Sequence, residues 1–101
     1  MSSERPWLAH YPAGVPAEID LDEFASINDI FDSAVKKYRD KTAFISMGKS
    51  ITYGDLERLS RDFAGYLLGE LKLKKGDRVA IMMPNCLQYP IAILGVLRAG
   101  L

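Results

Sequence analysis

"GDRVAIMMPNCLQYPIAILGVLRAGL" occupies residues 76–101, and its reading decides the fold. Residues 78–83, RVAIMM, form a nearly unbroken apolar run, the pattern of a central strand covered on both faces. Pro84-Asn85 then reads as a turn into a helix that carries no charge from Tyr89 to Leu97. Ile91, Ile93, Leu94, Val96 and Leu97 project around most of that helix, so the pattern predicts burial on all sides. Asn85 is the expected N-cap, Pro90 falls one turn inside at the cost of a backbone hydrogen bond, and Gly100 is placed as a left-handed C-terminal cap. The chain supplies little for such a strand and helix to be buried against.

Working back from there, "SINDIFDSAVKKYRD" repeats Ile27, Ile30, Phe31, Ala34, Val35 and Tyr38 at three- and four-residue steps, one face of an amphipathic helix. Ser26 or Asn28 can cap it, and Asp29 and Asp32 lie where the helix dipole favours acids. "TAFISMGKSITY" reads as a hairpin around a Gly48-Lys49 turn of type II′. Thr52, with Asp55 three residues on, opens a second helix in the manner of a capping box. Leu56, Leu59, Phe63, Tyr66, Leu67 and Leu71 form its apolar side, opposite Arg58, Arg61, Asp62 and Glu70, and it should fade over Lys72–Lys75 and end at Gly76. Residues 1–25 hold Pro6, Pro12 and Pro16 and show no period, so they read as an extended arm pinned by Trp7, Leu8, Tyr11 and Val15. The expected order is arm, α, β-hairpin, α, β, α: an α/β chain with a partial mixed sheet and packed helices, divided into 1–25 and 26–101.

Of the 101 residues, 49% are apolar, which supports a folded chain. Thirteen basic and thirteen acidic residues cancel, leaving no global field to recruit nucleic acid. The basic run Lys72, Lys74, Lys75 and Arg78 sits beside a turn and reads as a solvated loop. Cys86 is the sole cysteine and no apolar signal opens the chain, so a soluble, intracellular-type protein is expected.

Chemistry is hard to find. The glycines fit neither dinucleotide-binding nor P-loop spacing, and no His/Cys cluster has metal-ligand spacing. His10, the only histidine, lies in the arm; Cys86 reads as a small buried residue at a helix start, Met82-Met83 as core, and Arg98 as a complement to the helix dipole. The expected catalytic, cofactor-binding and metal-binding sets are all empty.

The residues do suggest a family. Ile51-Thr52-Tyr53 with Leu56, Lys75-Gly76-Asp77-Arg78-Val79, Pro84-Asn85 and Leu97-Arg98-Ala99-Gly100 resemble the N-terminal region of the adenylate-forming (AMP-binding) acyl-CoA synthetases. "WLAHYPAGVPAEID" at residues 7–20 and "PNCLQYPIAILGVLRAG" at 84–100 resemble the bacterial long-chain fatty-acyl-CoA synthetases within that superfamily. One departure stands out: the family often has Gly-Val before the Lys-Lys-Gly-Asp turn, where this chain has Lys72-Leu73.

The resemblance implies a ligase that joins a fatty acid to coenzyme A through an acyl-adenylate, using ATP and Mg²⁺. It also implies that the phosphate loop, the ribose-binding Asp and the catalytic Lys lie beyond position 101. The chain is then expected to be an N-terminal piece with a scaffold or dimerisation role, inactive alone, needing no cofactor itself. The alternatives are a free-standing interaction module on the same scaffold and a piece of another adenylate-forming enzyme. A homo-oligomer is expected, formed through the apolar surface around Ile91, Leu94, Leu97 and the 78–83 strand, with no nucleic-acid partner. The implied location is cytoplasmic, with the parent enzyme peripheral at the inner membrane.

Overall fold

The computed structural model describes residues 4–101. Three α-helices and a two-stranded antiparallel sheet make up its regular structure, so the chain is α/β as expected. In chain order they are α1 (Ile27–Tyr38), β1 (Thr42–Ser46), β2 (Lys49–Thr52), α2 (Tyr53–Gly69) and α3 (Gln88–Arg98).

The core lies where α2 meets α3. Buried Leu56, Ser60, Ala64 and Leu67 run down one side of α2 at helical spacing. Buried Ala92, Gly95, Val96 and Ala99 face them from α3 and its C-cap. These contacts are made mostly by small residues, and that brings the two backbones together. A Cβ added at Gly95 would sit 2.7 Å from Phe63 Cδ1 and 3.0 Å from the Ser60 carbonyl oxygen. Ser60 itself is 0% exposed, and its hydroxyl is satisfied within α2 by donating to the Glu57 carbonyl at 3.0 Å. The sequence expectation for α2 gave this side to Tyr66 and Leu71 as well, and both are exposed. The line of contact is rotated toward Ser60 and Ala64 because close helix approach selects small side chains over large ones.

Polar contacts tie α1 to this pair. Asn28 Nδ2 donates to the Leu97 carbonyl in the last turn of α3 at 3.1 Å, alongside the Gly100 N–H that the same oxygen accepts. The α1 cap is Ser26, whose hydroxyl accepts from the Asp29 amide at 3.1 Å. Arg98 Nη2 lies 3.6 Å from Asp32 of α1 and 3.5 Å from Glu57 of α2, so one guanidinium touches both neighbouring helices. Of the apolar face expected on α1, Val35 is buried and Phe31, Ala34 and Tyr38 are half-buried, while Ile27 and Ile30 stand exposed.

The hairpin differs from expectation by one residue. Ser46 pairs with Lys49, so the turn is Met47-Gly48, with φ of 50° and 77°. Positive φ at both positions is type I′ geometry rather than II′. This register sets Phe44 across from Ile51, joining two large apolar side chains on one face; a Gly48-Lys49 turn would have set Ser46 there. The register shifts between Thr42 and Phe44, a bulge that leaves Ala43 extra before α2 begins. Thr52 caps α2 as expected, accepting from the Asp55 amide at 3.1 Å.

Helix ends account for other differences. α2 stops at Gly69, seven residues before Gly76, with Lys72 at φ 55°. Lys72 is the position where the resembling family often has glycine, and a side chain there strains the left-handed conformation. Asn85 does not cap α3; the N-cap is Leu87, so Pro90 is the third helical residue. Its missing N–H would have had no intrahelical partner anyway, and the expected cost does not arise. Gly100 behaves as expected. At φ 81° it completes a Schellman closure, Gly100 N–H to Leu97 O and Leu101 N–H to Val96 O, both at 3.1 Å.

The largest correction concerns residues 78–83. They form no strand: no backbone hydrogen bond joins 78–85 to another element among the described residues. The sheet is therefore a hairpin alone, not mixed, and Met82 and Met83 are not core; Met82 is 97% exposed. A strand exists only through its neighbours, and no strand among the described residues lies beside this run. The arm is also less anchored than expected. Pro6–His10 is a short 3₁₀ turn, Leu8 is half-buried, and Trp7, Tyr11 and Val15 are exposed. The radius of gyration, 17.4 Å, exceeds the roughly 13 Å of a compact domain this long.

Two substitutions test this packing. Gly95→Ala should destabilise the chain by about 1–2 kcal/mol in urea unfolding, because overpacking outweighs the gain of about 1 kcal/mol in helix propensity. Lys72→Gly should stabilise it by about 0.5–1 kcal/mol, since relief of left-handed strain exceeds the added freedom of the unfolded chain.

Candidate functional site

The concave surface of the chain is apolar. A groove of about 450 Å³ opens between β1, the segment before α3 and the first turns of α3, with Phe44, Ile45, Cys86, Leu87, Ile93 and Leu94 among its walls. The hairpin register and the irregular stretch before Gln88 hold these walls apart. A smaller hollow, of about 280 Å³, lies between α1, the hairpin and α2, lined by Ile27, Ile30, Phe31 and Leu56 among others. Phe44 and Leu94 border both. Polar groups in the larger groove come from Ser46, Asn85 and Tyr89, and neither groove is lined by an acid or a base.

This lining decides what the surface can do chemically. Apolar walls favour an apolar occupant through removal of hydrocarbon surface from water. A nucleotide triphosphate or Mg²⁺ needs cationic or carboxylate partners, and the lining has neither, so these residues do not fit ATP, Mg²⁺ or the phosphates of coenzyme A.

The residues weighed from sequence fall apart in space. His10 is exposed at the end of the 3₁₀ turn. Cys86 is half-buried in the wall of the larger groove, with Sγ 4.0 Å from Met83 Sδ. Arg98 belongs to the polar contact among the three helices. Among the described residues, no three His, Cys, Asp or Glu side chains gather as a metal site. Ile91, Leu94 and Leu97, expected as an oligomer surface, are half-buried. What sequence reading missed is Phe44, which borders both grooves; its role followed from a hairpin register that the type II′ assignment had displaced.

Comparison with known proteins adds a second line of observation. The family model for AMP-binding enzymes matches residues 31–101. The long-chain-fatty-acid–CoA ligase of Yersinia pestis is 57% identical over 98 residues, covering 97% of this chain and 17% of that protein. The ligase of the same description from Escherichia coli O157:H7 is 53% identical over 98 residues, again 97% of this chain and 18% of its own length. That of Bacillus subtilis is 40% identical over 100 residues, 99% of this chain and 18% of the relative. The chain thus spans less than a fifth of the curated relatives it matches. No solved structure gives a significant match.

The grooves can be probed directly. An apolar dye that fluoresces on leaving water should bind the chain, and Ile45→Asp should cut its signal several-fold. Ile45 is 73% exposed, so unfolding free energy should stay within about 0.5 kcal/mol of the parent. Unchanged dye binding would place the site elsewhere.

Proposed function

The chain belongs to the AMP-binding enzyme family, and from that premise we propose that it is the scaffold-forming N-terminal segment of a long-chain fatty acid–CoA ligase. The carrying observation is the near end-to-end match to ligases of that description, of which the chain spans 17–18%. The unpaired 78–83 run supports the same reading, since an apolar strand sequence without a ladder suits a sheet whose other strands come from elsewhere in a longer protein.

In the reaction proposed for the whole enzyme, a fatty carboxylate attacks the α-phosphate of ATP, pyrophosphate leaves, and the coenzyme A thiol then displaces AMP from the acyl-adenylate. The residues of this chain hold none of those groups in the proposal. Their part is to place α2, α3 and the 78–83 run as a platform. The location proposed is cytoplasmic and peripheral at the inner membrane. Among the described residues no helix is long and apolar enough to cross a membrane.

Self-association belongs to this reading. The surface concerned is that around Ile91, Leu94, Leu97 and the 78–83 run, where Met82 stands open, extended by exposed Ile27, Ile30 and Phe44. Large apolar patches of this kind are rarely left bare on a monomer. We propose that a second copy covers them when the rest of the ligase is not there to do so.

Two measurements check the proposal. Given ATP, Mg²⁺, palmitate and coenzyme A, the chain alone should release no pyrophosphate. Adding it to a related ligase that lacks its first hundred or so residues should raise that protein's turnover. Turnover by the chain alone, or full activity of the shortened ligase without it, contradicts the scaffold role. Separately, light scattering after gel filtration at tens of micromolar should give a mass above 11.3 kDa; a clean monomer would show that the apolar surfaces need no partner copy.

A further inference from the structure

We draw no further inference here: the strongest candidate, the apolar groove of about 450 Å³ between β1 and the first turns of α3, is an unpartnered surface, and nothing in the structure shows what covers it.

Discussion

The contact of α3 with α2 at Gly95 is the constraint on which the rest of the fold depends. The absence of a Cβ there lets the Ser60 carbonyl and the Phe63 ring approach to distances that an alanine would violate. Because the backbones are this near, the flanking positions are also small: Ser60 and Ala64 on one helix, Ala92 and Ala99 around the other. The close approach brings the end of α3 within reach of Asn28, Asp32 and Glu57, so polar contacts tie on α1 beside the apolar packing of Val35. Of the ion pairs, the one with Asp32 adds little, because Asp32 is more than half exposed and water competes for it. Their value is geometric, in fixing how α1 lies across the other two helices.

The same arrangement leaves the structure uneven. Leu56, Val35 and Leu67 are almost fully buried, whereas the 78–83 run is covered no further than half-burial of Val79 and Ile81, and most of the arm is exposed. An α2–α3 pair can close on itself because its bonds are within helices. A single strand cannot, since its amides and carbonyls need a neighbour. The chain accordingly holds a compact helical centre beside the 78–83 run, whose composition suits burial and whose backbone is unpaired. A platform within a larger sheet domain has these properties, which is why packing and family membership support one reading.

Much of this was legible in the sequence, and the failures have physical causes. α1, the Ser26 and Thr52 caps and the Gly100 closure follow from local chemistry, and each formed as that chemistry requires. The α2 face is legible at Leu56, Leu59, Phe63 and Leu67 but not at Tyr66 and Leu71, because close contact with α3 turns it toward Ser60 and Ala64, whose small side chains carry little hydropathy signal. The turn slipped by one residue because a lone glycine permits both primed geometries, and only the Phe44–Ile51 pairing decides between them. The central strand expected at 78–83 does not form, because its apolar composition cannot supply the neighbouring strands a ladder needs. The grooves were illegible for a related reason: they arise from hairpin register and from where α3 begins, both set by tertiary packing.

The central claim is that the α2–α3 contact stabilises the chain while the 78–83 run stays unpaired, and amide hydrogen exchange on the dilute chain tests it most directly. Slowest exchange is expected at Leu56–Leu67 and Ala92–Val96, with Val79–Met83 exchanging at nearly the rate of free peptide. Strong protection across Val79–Met83 would contradict the account, because it would require a ladder that the fold does not contain.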